Sequence, residues 1–560
     1  MKRTLAALLA AVMVLGMLAG CGSSASSSAA AEDTASAASA EETAATDEAA
    51  PADEAAPGEE AASAQEGTAP EVDTSTGMTI EENEALFPLA EEKTYTIFYP
   101  FAPPLIQMGY EDPAELNYFK TLYEMTNVKL DFTIASVETL SDKFSLLVAG
   151  GDYPDIFCQC LDEYSGGATA AIEDEVMLDL ADYIDEYAPH YKALMASDDS
   201  FRKNNFTDDG QQIQFMSYYD NVYVNQGYFY RTDYLEELGM DVPVTYDDWY
   251  EYLKACKSTY GTASPSRGIP SSGFYGITVD DMAVIDGQVV YTKGDEAIQS
   301  QILALAEQWY ADGLYSQETQ IDGALTDSDL RGMVTAGELI LCTTDVDQYK
   351  VFQEEVPIKA VEYPVLNEGD TPYQVVNQNA CGNGNAISTQ CEDVETLVEY
   401  FDYWYSDEVI LLANWGIEGE TYTVNDDGSY SYTDEVLNFA GGMNLATSVY
   451  CAGWEPTRID FTRKNVAYND DQLEALDIWN QTDGSQNYPQ FATFTPEESE
   501  IIKTTYADIQ TYADEAYTKF LVGESTYEND FQAFVDQLEA MGIQEVIDVY
   551  QAAYDRYQAR

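Results

Sequence analysis

Alternating apolar and polar residues predict two strands near residue 90, each followed by a helical pattern. Lys93 to Tyr99 and Lys129 to Ile134 alternate in the manner of half-buried strands. Glu115 to Met125 and Ser141 to Val148 show apolar residues at helical spacing. GGDYPDIF, residues 150–157, adds a third strand. Strands alternating with helices are typical of an α/β domain with a largely parallel sheet.

A second region shows helix signals in more detail. Val222 to Phe229 is strand-like, and Gly239 ends a short helix that follows it. Thr245 then caps a longer helix, with Asp248 three residues on in a capping-box arrangement. One apolar face of that helix carries Trp249, Tyr252, Leu253 and Cys256, which predicts that these side chains are core.

Packed helices are also predicted at the end of the sequence. One apolar face runs from Phe531 to Leu538, Gly542 interrupts it, and another runs from Ile543 to Tyr550. Three tryptophans lie in helical patterns and are predicted to be core: Trp309, Trp404 and Trp479.

The first 21 residues have the layout of a secretory signal. Lys2 and Arg3 precede an apolar run from Leu5 to Met17, which is too short to span a membrane. LAGC, ending at Cys21, resembles the lipobox of bacterial lipoproteins, in which the signal is cut before the cysteine and the cysteine is acylated. The alternative is an ordinary secretory signal in which Cys21 is incidental.

Residues 22–77 are predicted to be a disordered tether. They contain thirteen acidic residues, no basic residue and no aromatic residue. Such a segment buries too little apolar surface to offset its conformational entropy. A tether of this length would hold a folded part away from a membrane.

Charge and rare residues exclude several classes of function. The formal net charge is −77, from 24 basic and 101 acidic residues, which disfavours nucleic acid and anionic lipid headgroups as partners. His190 is the single histidine, so any Ser-His-Asp or Cys-His arrangement would have to use it, and His-rich metal sites are excluded. We interpret His190 as incidental to function.

The cysteines do not form a recognisable motif. Eight are present, and acylation of Cys21 would leave an odd number, so at least one thiol would be unpaired. We interpret the remaining cysteines as small buried apolar residues.

Five segments in order resemble the extracellular solute-binding proteins of carbohydrate ABC importers, in their lipoprotein subgroup. They are LLVAGGDYPDIF (146–157), GYFYRTDYLEELGMDVPVTYDDWYEYLKA (227–255), GQVVYTKGDEAIQSQILALAEQWYADGLYS (287–316), NWGIEGETY (414–422) and YQAAYDRY (550–557). The resemblance covers most of residues 90–560. It implies an α/β, two-lobe, periplasmic-binding-protein-like fold of type II, with a hinge and a ligand cleft between the lobes.

The resemblance also implies a division of the chain. A signal peptide would occupy residues 1–20, and the lipidated cysteine with the acidic linker would occupy 21–89. One lobe would hold 90–222 plus 373–440, and the other 223–372 plus 441–560.

Candidate ligand residues lie where strands end or loops enter the expected cleft. A sugar requires rings against its C–H faces and charged or amide groups at its hydroxyls, although many of the chain's aromatic residues are expected in the core. The candidates are Tyr99, Phe101, Gln159, Glu163, Tyr164, Asp220, Asn221, Tyr223, Asp345, Trp415, Glu418, Glu420, Trp454 and Arg458. A structural role for Glu418 is at least as well supported as a ligand role.

NDDGSY, residues 425–430, superficially resembles a calcium loop. With Gly428 at the sixth position the first ligand would be Thr423, which breaks the pattern. A β-hairpin between Tyr422 and Tyr430 fits better, and no metal or other cofactor is expected.

These observations predict a monomeric, lipid-anchored binding protein on the extracellular face of a Gram-positive-type cell membrane. It would capture an oligosaccharide or related sugar, deliver it to ABC permease subunits, and have no catalytic activity. The alternatives are a surface glycoside hydrolase, for which no carboxylate pair is recognisable, and a peptide-binding or adhesive lipoprotein. An acidic sugar would need cations from the set Arg202, Lys203, Arg231, Arg331, Arg458, Arg463 and Lys464.

Overall fold

A computed structural model describes residues 70–164, 166–267, 282–315, 327–373, 381–439, 442–453 and 455–560. The predicted lipidation site Cys21 and the candidate Trp454 lie outside these ranges. The strands of the described residues are β1 Lys93–Phe101, β2 Val128–Ser136, β3 Ile156–Cys158, β4 Gln214–Asp220, β5 Gln226–Arg231, β6 Met282–Ile285, β7 Gln288–Tyr291, β8 Thr343–Asp345, β9 Ile358–Val361, β10 Cys381–Ile387, β11 Tyr422–Val424, β12 Tyr430–Tyr432 and β13 Arg458–Asp460.

Helices connect and cover these strands. In chain order the α-helices are α1 Ile80–Glu84, α2 Pro103–Gln107, α3 Asn117–Thr126, α4 Leu140–Gly150, α5 Gly167–Glu173, α6 Ala181–Tyr187, α7 Pro189–Ser197, α8 Asp199–Asn205, α9 Thr232–Leu238, α10 Tyr246–Tyr260, α11 Glu296–Ala311, α12 Asp327–Ala336, α13 Val346–Glu355, α14 Val394–Tyr403, α15 Asp407–Trp415, α16 Asp434–Leu437, α17 Gly442–Tyr450, α18 Asp470–Trp479, α19 Pro496–Ile501, α20 Ala507–Leu521, α21 Tyr527–Met541 and α22 Ile543–Ala559. A π-helical turn, Ile502–Tyr506, joins α19 to α20. No helix in the described ranges is long and apolar enough to cross a bilayer.

The larger sheet has six strands in the order β13-β4-β10-β3-β1-β2. Strand β1 runs parallel to β2 and β3, and β10 runs antiparallel to its neighbours β3 and β4. The strands predicted from alternating apolar and polar residues, β1 and β2, therefore pair in parallel in this sheet, as predicted. Since β1, β3 and β4 run in the same direction, their carboxyl ends share one edge, where ligands of open α/β sheets bind.

The smaller sheet is antiparallel, in the order β8-β5-β9, and two hairpins accompany the sheets. Strands β6 and β7 form one hairpin, and β11 and β12 form the hairpin predicted between Tyr422 and Tyr430. Asp427 and Ser429 hydrogen-bond within its turn, where the side chain and amide of Ser429 donate to the Asp427 carboxylate.

Five apolar clusters lie in the described residues, and the three largest hold most of these elements. One lies on the larger sheet and includes Trp404, and a second lies on the smaller sheet and includes Trp249, Trp309 and Trp479. The third joins the β6–β7 hairpin to helices α20, α21 and α22. The four tryptophans are at most 1% exposed, which confirms that they are core residues. We call the larger sheet with its packed helices the large-sheet body, and α20 to α22 the C-terminal helices.

The described cysteine side chains also lie in the interior. They are buried and form no disulfide with one another: Cys158, Cys160, Cys256, Cys342, Cys391 and Cys451. Burial raises the pKa of each thiol, so they remain protonated, as the sequence interpretation required.

Residues 70–89 are folded against the large-sheet body, so the prediction that they belong to a disordered linker is wrong. Helix α1 begins with a capping box formed by Thr79 and Glu82. The Met78 amide donates to the Glu186 carbonyl at 2.8 Å, and the buried Lys192 ammonium donates to the Thr76 carbonyl at 3.1 Å. Phe87 and Leu89 also pack against the core of the large-sheet body, so polar and apolar contacts together hold the segment.

His190 fixes the same segment from the interior. Its Nδ1 lies 2.7 Å from the buried Asp402 carboxylate, and its Nε2 lies 3.4 Å from Glu84 of α1. Burial opposes the charged ring, but the hydrogen bonds and charges of Asp402 and Glu84 outweigh it and raise the pKa of His190. The single histidine is therefore structural.

The chain passes between the two sheets at three places. Residues 221–225 link β4 to β5, residues 362–380 link β9 to β10, and the 3₁₀ segment Phe461–Ala467 follows β13. Strand β13 pairs in parallel with β4, and Val449, Ala452 and Ile459 belong to the large-sheet core. Residues 442–453 and 455–460 therefore pack with the larger sheet, whereas the sequence analysis placed 441–460 in the second lobe, because the sequence does not record that a short edge strand returns to the first sheet.

Candidate functional site

The chain turns sharply where β3 reaches the carboxyl edge of the larger sheet. Gln159 adopts a left-handed backbone (φ 52°), and its amide donates to the Gly384 carbonyl at 2.7 Å. A non-glycine residue holds such a conformation only when its surroundings fix it. The turn leads into the 3₁₀ segment Leu161–Glu163 and then α5, which together form a wall at this edge.

A cavity of about 290 Å³ lies against this wall. Residues 161–169 line one side, residues 204–216 line a second, and residues 490–503 line the third. The first two sides belong to the large-sheet body, whereas the third precedes the C-terminal helices. Its aromatic lining is Tyr164, Phe206, Phe491 and Phe494, and its amide lining is Asn204, Asn205, Gln211, Gln214 and Gln490.

Some polar atoms of the cavity lining already form hydrogen bonds within the protein. The Gln214 side-chain oxygen accepts the Gly384 amide at 3.0 Å, and the Asn204 oxygen accepts the Tyr557 hydroxyl at 2.6 Å. The Gln211 Oε1 atom is buried and has no hydrogen-bond partner. A buried acceptor without a partner is costly, so this atom is available to a ligand hydroxyl.

Tyr164 is the predicted site residue that lines the cavity. Its hydroxyl donates to Asp174 at 2.7 Å, and its ring packs edge-on against Phe144. Burial, followed by the hydrogen bond to Asp174, raises the pKa of Tyr164, which stays a neutral ring. The predicted residue Glu163, half-buried, flanks the cavity, and its amide donates to the Cys160 carbonyl at 3.2 Å.

A group of ion pairs lies next to the cavity, and we call this group the clasp: Asp208, Glu498, Arg556 and Arg560. Asp208 accepts from Arg556 Nε at 2.7 Å and from Arg560 Nη2 at 2.6 Å. Burial disfavours the charge of Arg556, but hydrogen bonds to Glu498 and Asp208 outweigh it and raise the pKa of Arg556. The clasp ties helix α22 to the large-sheet body.

Arg560 also binds the backbone on two walls of the cavity. It donates to the Phe206 carbonyl at 2.6 Å and to the Phe491 carbonyl at 3.0 Å. Because Phe206 and Phe491 both line the cavity, the clasp sets the distance between its walls.

Four predicted residues meet where the chain crosses between the sheets, each with a protein partner. Asp220 accepts two hydrogen bonds from Arg458, at 2.6 and 3.1 Å. Asn221 donates to Asp460 at 3.1 Å, and the Tyr223 hydroxyl donates to the Phe461 carbonyl at 3.1 Å. These residues bind the crossing segments to one another, and none of them lines the 290 Å³ cavity.

Asp345 and Lys464 lie at the same crossing. Asp345 caps α13 by accepting the Asp347 amide at 2.9 Å. Lys464 bonds Asn444 of α17, while its charge faces Asp345 and Asp347. Burial and then the neighbouring Arg463 lower the pKa of Lys464 to about 8, against the pull of the two carboxylates.

Two aromatic candidates lie in the core of the large-sheet body. Tyr99 and Phe101 are 2% and 1% exposed. The Tyr99 hydroxyl donates to the buried Glu455 carboxylate at 2.6 Å. Strand β1 is covered on both faces, so its last residues point into the interior rather than into the cavity.

The candidate Trp415 belongs to an aromatic cluster on the β11–β12 hairpin. Its ring centroid lies 4.7 Å from that of Tyr432 and 5.2 Å from that of Tyr430. Glu418 and Glu420 are exposed in the loop between α15 and β11. The rings therefore pack against one another, and the loop between α15 and β11 does not line the cavity.

Several cavity residues were missed from sequence: Gln211, Gln490, Phe491, Phe494 and Lys503. NYPQFATF, residues 487–494, combines three rings and two amides outside any regular element, and that composition was an available signal. Gln211 and Lys503 gave no such signal.

Metal-ligating side chains do not cluster in the described ranges. No group of three or more His, Cys, Asp or Glu side chains there could hold a metal ion.

Residues 117–427, more than half of the chain, match the sequence model of the bacterial extracellular solute-binding protein family. The chain belongs to this family. Members of the family are binding proteins, and its two-lobe fold accounts for the two sheets and the repeated crossings.

This solute-binding protein has relatives of nearly its own length. It is similar to the fructooligosaccharide ABC transporter substrate-binding protein FusA of Streptococcus pneumoniae, with 23% identity over 526 residues, 84% of this chain and 92% of FusA. It is also similar to the polygalacturonan/rhamnogalacturonan-binding protein YtcQ of Bacillus subtilis, with 20% identity over 473 residues, 80% of this chain and 89% of YtcQ.

A solved structure shares the fold of this solute-binding protein. The alginate-binding protein AlgQ2, crystallised without calcium, superposes with a TM-score of 0.69 and 21% identity, covering 84% of this chain and 99% of AlgQ2. A likeness at this identity shows the fold.

Proposed function

We propose that this solute-binding protein captures an oligosaccharide in the 290 Å³ cavity and delivers it to an ABC permease. The observation that supports this most is the lining of the cavity by rings and side-chain amides. Rings stack on the C–H faces of a sugar, and amides pair with its hydroxyls in both donor and acceptor roles.

The size and position of the cavity support the same ligand class. About 290 Å³ is at the lower end of small-molecule sites, which suits a short sugar or one end of a longer one. Gln211 Oε1 supplies an acceptor that the protein does not satisfy. FusA, similar over most of its length, carries the name of a fructooligosaccharide-binding protein.

We propose that lobe closure retains the ligand. The first lobe would hold 90–222 plus 373–440 as predicted, extended by residues 70–89 and 442–460, which pack on the large-sheet body. The second would hold 223–372 and the chain after residue 460. The clasp joins the large-sheet body to the C-terminal helices and would stabilise the closed form.

Calorimetry with single-residue variants tests the site. Tyr164→Ala and Phe491→Ala each remove one ring from the cavity, and we expect each to weaken binding of a titrated oligosaccharide about tenfold, from about 1.5 kcal/mol per ring. Tyr123→Ala is the matched control, because Tyr123 is 39% exposed on α3 and does not line the cavity.

Two results would count against the proposal. Equal affinities for the Tyr164 and Tyr123 variants would place the ligand elsewhere. Recovery of cleaved sugar with new reducing ends would favour the glycoside hydrolase alternative.

We further propose that acylated Cys21 anchors the protein, as a monomer, on the extracellular face of the cell membrane. The lipobox-like LAGC and the small-residue tether support this. Cys21→Ser should release an active binder into the medium, measured by immunoblotting of cell and medium fractions. A variant that stays with the cells would contradict the anchor.

A further inference from the structure

All basic residues that a ligand can meet lie within the described part of the chain. Of 24 lysines and arginines, Lys2 and Arg3 precede residue 70, and the other 22 lie in the described ranges. The segments between those ranges contain no Lys, Arg or His. The positive charge near the cavity is therefore fully accounted for.

The arginines predicted to bind an acidic sugar already have carboxylate partners. Arg231 pairs with Asp233 at 2.6 Å, Arg458 with Asp220 at 2.6 Å, and Arg331 with Glu355. Arg202 and Lys203 pair with Asp199 on their own helix α8. A uronate at any of these sites would therefore meet a cation whose charge a carboxylate of the protein already balances.

The remaining predicted cations lie at the crossing and do not line the cavity. Arg463 is 8% exposed and donates to the Asp460 carbonyl at 2.9 Å. Lys464 bonds Asn444 and faces two carboxylates, Asp345 and Asp347. The clasp arginines Arg556 and Arg560 are held by Asp208 and Glu498.

The cavity itself carries balanced charge. Lys503 is its one cation and Asp162 its one carboxylate, and its other lining side chains are amides, hydroxyls, rings and apolar groups. The Lys503 ammonium lies beside Gly166, 3.0 Å from where a Cβ on that residue would be. Charges farther than about 8 Å are screened at physiological salt, so the local balance decides which ligand is accepted.

We propose that the ligand is an uncharged oligosaccharide. A uronate carboxylate in the cavity would have to share Lys503 with Asp162, and a site for uronates would be expected to present an arginine fork, which the described lining lacks. This inference rests on the proposed function and narrows it. The relatives do not decide the question, because FusA is named for a neutral sugar and YtcQ for an acidic one.

Matched titrations test the inference. The full-length protein is titrated with galacto-oligosaccharides of three to six units and with oligogalacturonates of the same lengths, at low and high salt. We expect the neutral set to bind at least about tenfold more tightly, with a Kd that changes less than about twofold with salt. Equal or tighter binding of the oligogalacturonates, weakening as salt rises, overturns the inference.

A charge variant provides an independent readout. Asp162→Asn removes the cavity carboxylate and should strengthen oligogalacturonate binding about threefold or more, because Lys503 is then unbalanced. Asp152→Asn is the control, since it makes the same change at an exposed position that does not line the cavity. Equal effects of the two variants on oligogalacturonate binding overturn the inference. Absence of binding by both sugar sets and by other neutral oligosaccharides overturns the proposed function, and the inference with it.

Discussion

Asp208→Asn should open the cavity and weaken ligand binding. The Asp208 carboxylate accepts Nε of Arg556 at 2.7 Å and Nε and Nη2 of Arg560 at 2.9 and 2.6 Å. These bonds join the large-sheet body to helix α22, on either side of the cavity. An asparagine keeps the shape of the side chain but removes its charge and one acceptor oxygen.

The size of the effect of Asp208→Asn depends on which hydrogen-bond partners each arginine keeps. Arg556 keeps Glu498, at 2.9 Å from its Nη1, and Arg560 keeps the carbonyls of Phe206 and Phe491. Hydrogen bonds to charged groups contribute about 1.5–3 kcal/mol each, and the retained partners offset part of the loss, so about 2 kcal/mol remains. At 1.4 kcal/mol for each factor of ten, the closed form should lose about 30-fold in population relative to the open form.

Small-angle scattering and calorimetry measure the two consequences. Asp208→Asn should increase the radius of gyration of the free protein and weaken sugar binding by up to about 30-fold. Asp209→Asn is the matched control, because Asp209 is the exposed neighbour and carries the same charge. If the two variants scatter and bind alike, the clasp does not control closure and this reasoning is refuted.

Two further predictions concern the core and the crossing. Gly227→Ala should destabilise the fold by about 3 kcal/mol in denaturant unfolding, because a Cβ there would lie 2.2 Å from the Trp479 ring. Gly332→Ala is the control, since Gly332 lies in α12 with open space around it, and this variant should be neutral or mildly stabilising. Equal changes in unfolding free energy for the two variants would contradict the close packing of Gly227 against Trp479. Lys464→Met should be most stabilising near neutral pH. In the folded protein the pKa of Lys464 is about 8, below the usual 10.5, so between these pH values the unfolded chain binds more protons than the folded protein. The unfolding free energy of the wild type therefore rises with pH in this range. The advantage of Lys464→Met over the wild type should therefore shrink by about 2 kcal/mol between pH 7.5 and 9.5, and a constant difference in unfolding free energy would contradict this.

Local features of the fold could be predicted from the sequence. Thr245 and Asp248 form the expected capping box on α10, and Trp249 on the same helix is fully buried. Capping and periodicity depend on residues within one or two turns, so the sequence displays them directly. The hairpin between Tyr422 and Tyr430 could be predicted for the same reason, because its turn depends on neighbouring residues.

The walls of the cavity could not be predicted in this way. The Ser499 hydroxyl donates to the Gly166 carbonyl across 333 positions of sequence, and no local pattern records that pairing. Tyr99 and Arg458 lie outside the cavity lining for a related reason. Their composition fits a binding site, but Glu455 and Asp220 occupy them from distant parts of the chain.

A crystal structure of the protein with a bound neutral oligosaccharide tests the central claim most directly. We predict that a sugar unit lies between Tyr164 and Phe491, with one of its hydroxyls donating to Gln211 Oε1. Sugar bound at the crossing near Asp220, or on the hairpin beside Trp415, with the cavity empty, would contradict the account.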